Sequence, residues 1–282
     1  YQVEAANRAV DVAKESLRNA EEFLKLSLGL NSVGQATRID VLRAESQMID
    51  ARNLLLNSKD AVEVSKTALA ALIDFTGAFD IASPGVYEPV STNLDELLEK
   101  AWFQRKDLES ERIKVQMNER LRQDILCQWI PRLSVNYGWQ WNSSSGFGGD
   151  NDSWNVELSA YWSILEGGAR RADYLNQKSE ILIAQNNLKQ LELDIHQEID
   201  TNLQNLNRSR RTLDSTAQQL LLVEETYRLV RRQFEVGMAT SLDLQSAVEQ
   251  LTAVRQQLVV ENLNYALAAL MLNKSVGSSL EE

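Results

Sequence analysis

The 282-residue sequence is poor in the residues that interrupt helices, with twelve glycines and three prolines. That scarcity predicts long, unbroken helices rather than many short elements joined by turns. A single cysteine, Cys127, excludes an internal disulfide and a cysteine zinc cluster and reads as a packed thiol. A single histidine, His196 in LDIHQEID, has no ligand set with Asp194, Glu198 and Asp200 and reads as a helix residue rather than a base or metal ligand. Walker loop, dinucleotide fingerprint, nucleophile elbow and Cys/His pairing are all missing, so neither an enzyme nor a cofactor or metal site is expected. Basic excess is missing too: 29 Lys and Arg stand against 40 Asp and Glu, a net charge of −11, which argues against a nucleic-acid partner. Tyr265 to Leu272 (YALAALML) falls far short of the ~20 apolar residues of a membrane-spanning helix. The residues after Tyr1 are already periodic and charged, unlike a signal peptide.

What is present is helical periodicity. Ile199, Leu206, Leu213, Leu220, Tyr227 and Phe234 recur every seventh position in a segment, 170–235, without proline or glycine. At 1.5 Å per residue, one helix of roughly 66 residues spans about 100 Å, far beyond an ordinary globular helix. It ends at FEVGMATSLDLQSAVEQL, where Gly237 suits a left-handed stop and Thr240 or Ser241 caps the next helix, running to about Asn273. The same string occurs earlier as NSVGQATRIDVLRAESQM. A shift of 203 residues superposes Val33, Gly34, Ala36, Thr37 and Asp40 on Val236, Gly237, Ala239, Thr240 and Asp243, so the chain holds an internal duplication of helical hairpins.

Residues 1–73 therefore read as a first hairpin and 165–276 as a second, with 277–282 a tail. Residues 74–93, with two of the prolines, read as an irregular linker, and 94–130 as a helix that Pro131 stops. Between the helices, 131–164, lie two alternating runs, RLSVNYGWQWN and WNVELSAYWSI, joined by the polar, glycine-rich SSSGFGGDND. Strand alternation puts Leu133, Val135, Tyr137, Trp139 and Trp141 on one face of the first run. Trp154, Val156, Leu158, Ala160, Trp162 and Ile164 share a face of the second. Each run has the 9 to 11 residues or so of a barrel strand, and five of the six tryptophans lie in or beside them, as in interfacial girdles. A lone hairpin leaves unpaired edges in lipid, so other copies must close the barrel. The other class of reading is a periplasmic coiled-coil adaptor or bridging protein without a barrel. It accounts for the heptads and tips, but not for the tryptophan-bounded alternating runs.

In this order, QRKDLESERIKV before WIPRLSVNYG, WNVELSAYWSILEGGARRA and the paired VGxAT…D tips, the chain resembles the TolC-type outer-membrane efflux protein family along essentially its whole length. The resemblance implies a mainly α fold with a β-hairpin, its long antiparallel helical hairpins forming a trimeric α-helical tunnel and its strands sharing an outer-membrane β-barrel of twelve strands. It implies a passive exit duct of a tripartite efflux pump or type I secretion system in the outer membrane, most of the chain lying in the periplasm of a Gram-negative-type bacterium. The implied partners are two further copies in a homotrimer, a periplasmic adaptor, an inner-membrane transporter and outer-membrane lipid.

By the same resemblance, Val33, Gly34, Ala36, Thr37, Val236, Gly237, Ala239 and Thr240 are adaptor-docking tips. Asp40 and Asp243, with Arg38 and Arg43, are the candidate periplasmic gate. The strand residues from Leu133 to Trp141 and from Trp154 to Trp162 that share the apolar face, Ala160 among them, are lipid-facing. Two departures stand out: a second acidic position three residues after Asp243 is Ser246, and an arginine of some relatives at the second tip is Ala239. A plainer reading remains for the tips, with Gly34 and Gly237 as helix stops and Asp40 and Asp243 as complements of the helix dipole. The 203-residue shift also predicts about 110 residues before Tyr1, carrying a signal sequence or lipid anchor and a second pair of alternating runs.

Overall fold

The computed structural model describes residues 1–77, 79–82, 91–142 and 151–278. Six helices and two strands follow one another as α1 (Gln2–Ser32), α2 (Arg38–Ile73), α3 (Leu94–Gln104), α4 (Lys106–Cys127), β1 (Arg132–Asn142), β2 (Asn151–Tyr161), α5 (Ala169–Glu235) and α6 (Ser241–Val276). Part of the linker, including both of its prolines, the connection between the two strands and the end of the tail lie outside the described residues. The chain divides into two units, Tyr1–Ala101 with Glu198–Glu282, and Trp102–Gln197.

The first unit is built from the two helical hairpins, α1 with α2 and the second part of α5 with α6. The expected seam of α5 faces inward: Ile199, Leu206 and Phe234 are buried and Leu213, Leu220 and Tyr227 half-buried. Near the two reversals, Phe23 of α1 and Ala44 of α2 pack with Phe234, Leu244 and Val248 in one apolar cluster. The Phe23 and Phe234 rings meet edge to face with centroids 5.7 Å apart, an arrangement aromatic quadrupoles favour. Away from the tips, polar contacts join the hairpins. Arg231 pairs with Glu22 at 3.0 Å, Arg255 bridges Glu15 at 2.9 Å and Glu224 at 2.8 Å, and the Ser16 and Thr252 hydroxyls are hydrogen-bonded at 3.1 Å. At its far end α6 stops on Gly277 in the left-handed conformation.

In the second unit α4 lies along the first part of α5. The Gln177 amide donates to both the backbone carbonyl and the side-chain oxygen of Asn118, each at 3.0 Å. The strands pair antiparallel in one unbroken register, Arg132 opposite Tyr161 through Asn142 opposite Asn151. Just past the strands, the Trp162 indole donates to the Trp129 carbonyl at 3.3 Å, and Arg170 lies 5.7 Å from the centre of the Trp129 ring. Arg170 also forks onto Glu166 at 2.8 and 3.0 Å.

Three sequence expectations change. The helix expected from Leu94 onward is broken at Arg105, whose extended backbone (φ −72, ψ 117) separates α3 from α4 and whose guanidinium pairs with Asp107 at 2.7 Å. The second strand is displaced by three residues: it begins at Asn151 and ends at Tyr161, so Trp162 and Ile164 follow it rather than belong to it. Backbone pairing with Asn142, Trp141 and Gln140 recruits the polar residues Asn151, Asp152 and Ser153, which side-chain alternation does not mark. Cys127, expected to be packed, is exposed at the last turn of α4.

Candidate functional site

Two places in the fold concentrate unusual features. The first is the pair of reversals, which the structure builds twice with the same hydrogen bonds. At the first, Gly34 has φ +77, and the Gln35 and Ala36 amides donate to the Leu30 carbonyl at 2.9 and 3.2 Å. At the second, Gly237 has φ +75, and Met238 and Ala239 donate to the Gln233 carbonyl at 2.8 and 3.3 Å. A side chain rarely adopts this backbone, which explains glycine at both positions. Each reversal then enters a capping box. Thr37 and Thr240 share one extended conformation, and their hydroxyls receive the amides of Asp40 and Asp243, whose carboxylates receive the threonine amides in return. The 203-residue duplication is thus a duplication of geometry.

The tips differ in what their carboxylates do beyond capping. Asp40 Oδ2 accepts from the Thr37 amide and hydroxyl at 2.8 and 2.7 Å, while Oδ1 accepts the hydroxyl of Ser241 in the other hairpin. Asp243 Oδ2 likewise accepts from Thr240 at 2.9 and 2.6 Å. The Ser241 hydroxyl, followed by the Thr37 donors, holds the Asp40 carboxyl below the usual carboxylate range, and Thr240 does the same for Asp243. Both are therefore anions at neutral pH.

Around these caps the structure exposes Val33 and Val236 and leaves Ala36 and Ala239 half-buried. Arg38 and Arg43 are exposed; Arg43 acts on the Asp40 carboxylate through space and, after the Ser241 and Thr37 hydrogen bonds, adds to the depression of its pKa. Ser241, which the sequence offers beside Thr240 as a cap of α6, leaves the cap to Thr240 and instead ties the two tips together through Asp40. In the duplicated string it occupies the position of Arg38.

The second place is the β-hairpin. Its register sets Leu133 opposite Ala160, Val135 opposite Leu158, Tyr137 opposite Val156 and Trp139 opposite Trp154, an apolar ladder on one face. The other face is polar: the Ser134 and Ser159 hydroxyls meet at 2.6 Å, Asn136 faces Glu157, and the Asn155 side chain lies over Gly138 where a Cβ would collide with it. Trp141 joins the apolar face opposite Asp152. Large residues of the apolar ladder are bare, from 57% exposed at Val156 to 74% at Leu133. A strip of this size open to water is not the surface of a soluble monomer. Among the described residues no helix is long and apolar enough to cross a membrane, and none of the His, Cys, Asp and Glu side chains form a cluster of three or more suited to a metal.

The family model for the outer membrane efflux protein matches residues 97–278. Nodulation protein T of Rhizobium leguminosarum bv. trifolii is 26% identical over 133 residues, covering 47% of this chain and 28% of that protein. Among solved structures, CusC superposes with a TM-score of 0.79 at 17% identity, over 99% of this chain and 66% of its own. The outer-membrane channel OprN superposes with a TM-score of 0.77 at 17% identity, over 99% of this chain and 64% of its own. The chain thus spans about a quarter of the nodulation protein and less than two thirds of OprN, and at these identities the structural likeness is one of fold.

Proposed function

The chain belongs to the outer membrane efflux protein family, and from that premise we propose that it is a passive exit duct: a homotrimer whose hairpins complete a β-barrel in the outer membrane and whose long helices form a tunnel in the periplasm. The observation that carries this reading is the bare apolar face of the β1–β2 ladder, backed by an opposite face that is polar apart from Gly138 and Tyr161. Lipid covers the one, and water in a lumen solvates the other. The hairpin's free backbone edges require neighbouring strands, which further copies supply. A periplasmic bridging protein has no use for such a ladder.

The two tips take the remaining roles. With Val33 and Val236 exposed beside Gly34 and Gly237, and with Ala36, Thr37, Ala239 and Thr240 following, they offer two near-identical docking surfaces per chain for a periplasmic adaptor, which links the duct to an inner-membrane transporter. Asp40, Asp243, Arg38 and Arg43 lie just inside the caps, where charge controls how closely the tips approach one another.

The test is assembly and conduction of the complete protein. It is expected to require detergent, to run as a trimer by native mass spectrometry and to give discrete conductance steps in planar bilayers. A monodisperse monomer without detergent, and without conductance, defeats the channel reading and favours the bridge.

A further inference from the structure

Arg208, Arg210 and Arg211 of α5 stand close together in a chain whose net charge is −11, and all three are exposed. Among the described residues none of them is in an ion pair. With Gln204, Asn207 and Asp214 they line an open, polar hollow of about 500 Å³. Asp214 comes after both Arg210 and Arg211 in the helix, the less favourable order for a pair along a helix face, so the arginines keep the hollow basic.

The first hairpin carries the balanced form of the same segment. The 203-residue shift lays Arg208 on Ala5, Arg210 on Asn7 and Arg211 on Arg8. There Arg8 pairs with Glu4 at 3.0 Å and Lys14 with Asp11 at 2.9 Å, so both basic side chains have a carboxylate. The second copy has Asn207 in place of Glu4, loses the lysine to Ala217 and gains Arg208 and Arg210. The positive surplus thus belongs to this segment and not to the repeated helix, and like charges crowded on one helix cost stability unless an anion answers them.

The polar neighbours select among anions. The Asn207 carbonyl accepts from Arg211 Nε at 3.2 Å, which steadies the guanidinium and leaves its two terminal nitrogens to fork onto a carboxylate. The Gln204 amide nitrogen donates to Asp200 at 2.9 Å, which leaves the side-chain oxygen of Gln204 as an acceptor. A phosphate or sulfate ion has no N–H for that oxygen, whereas a peptide brings backbone N–H groups together with carboxylates. From Gln204 to Arg211 the row rises about 10 Å along the helix, more than one small anion spans. We propose that this face of α5 is a docking site for an acidic peptide segment of a protein partner, Arg208, Arg210 and Arg211 taking its carboxylates and Gln204 and Asn207 its backbone. It lies roughly 40 Å along α5 from the Gly237 reversal and is a binding surface separate from the tips.

Fluorescence anisotropy of labelled hexaglutamate with the complete protein in non-ionic detergent tests the proposal, with hexaglutamine as the uncharged probe. Hexaglutamate should bind, hexaglutamine should not, and the affinity should fall as ionic strength rises. Arg208→Gln, Arg210→Gln and Arg211→Gln together should weaken binding by about tenfold or more, the loss expected when charge-assisted hydrogen bonds are removed. Because these side chains are exposed, the oligomeric state and thermal midpoint of that variant should match the wild type. Arg8→Gln, which removes the paired counterpart in the first hairpin, should leave binding unchanged. Equal binding by the wild type and the triple variant overturns the proposal. Full displacement of the peptide by inorganic phosphate at the same concentration of charge also overturns it and makes the hollow a site for simple anions. Absence of binding to the wild type overturns it too, and Arg211→Cys in the Cys127→Ser background then gives the reason: a maleimide that fails to label the assembled protein places a neighbouring copy over the hollow. The duct reading is judged by oligomeric state and conductance, so its failure is distinguishable from the failure of this docking site.

Discussion

Ser241 and Asp40 lie 201 residues apart in sequence, yet the Ser241 hydroxyl donates to the Asp40 carboxylate and fastens the second hairpin to the first. Ser241 is 4% exposed, so its hydroxyl has little access to water once that acceptor is gone. A hydrogen bond to a charged group contributes about 1.5–3 kcal/mol, enough to change an open-to-closed ratio by tenfold or more. Ser241→Ala and Asp40→Asn should each raise the open probability of the complete trimer in planar bilayers. Asp243→Asn should act separately, so the double variant with Asp40→Asn exceeds either alone. Wild-type conductance in all four variants would make these aspartates helix caps and nothing more.

The tip carboxylates also fix the response to pH. Both have folded pKa values below the ordinary value, Asp40 chiefly through Ser241 and Asp243 chiefly through Thr240. A depressed carboxylate stabilises the folded arrangement fully above the unfolded pKa, about 3.9, and loses that contribution as pH falls through the folded value. Conductance should therefore be flat from neutrality to about pH 5 and rise only in stronger acid. Ser241→Ala removes the largest cause at Asp40 and should move the onset of opening to higher pH. An onset near neutral pH in the wild type would contradict this assignment.

Much of this architecture is legible in the residues. The seven-residue seam of α5 and the repeated VGxAT…D strings anticipate the helices, both glycine stops and a threonine or serine cap, while the return bond from each aspartate that completes a capping box emerges only in the structure. The break at Arg105 is not legible: no glycine or proline marks it, and a short-range ion pair to Asp107 accompanies it. The start of β2 is hidden because Asn151, Asp152 and Ser153 are polar and join the strand through backbone pairing. The Ser241–Asp40 bond is tertiary: the sequence marks Ser241 as a possible cap of α6, but local spacing carries no sign of its partner in the other hairpin.

Gly237 separates stability from docking. Its φ of +75 strains any L side chain, while a Cβ there meets nothing within 4 Å, so the cost is conformational rather than steric. Gly237→Ala should cost roughly 1 kcal/mol, and Gly237→Asn less, because asparagine tolerates the left-handed region. Thermal dissociation of the trimer should rank glycine above asparagine above alanine. Adaptor affinity should instead rank alanine above asparagine, since the longer side chain projects into the approach. Identical orders in the two measurements would remove the tip from the docking surface.

The β-hairpin provides the sharpest contrast between neighbouring residues. Val156 and Asn155 are adjacent, so their side chains point to opposite faces: Val156 stands opposite Tyr137 on the apolar ladder, and Asn155 opposite Gly138 on the polar one. If lipid covers the ladder, Val156→Arg near the bilayer middle should cost about 2–4 kcal/mol, through the penalty of placing an ion in hydrocarbon. Ser159→Arg, on the polar face beside Ser134, loses one hydroxyl contact and gains a solvated charge, so the trimer should still assemble with altered conductance. Spin labels introduced by Val156→Cys and Asn155→Cys in the Cys127→Ser background report the two environments directly. The first should be accessible to oxygen dissolved in the bilayer, and the second to a water-soluble relaxation agent. A soluble hairpin packed on a helix predicts instead a label at position 156 that neither agent reaches. A hairpin standing free in water predicts equal access of the water-soluble agent at both positions. Only a barrel wall gives opposite answers at adjacent residues.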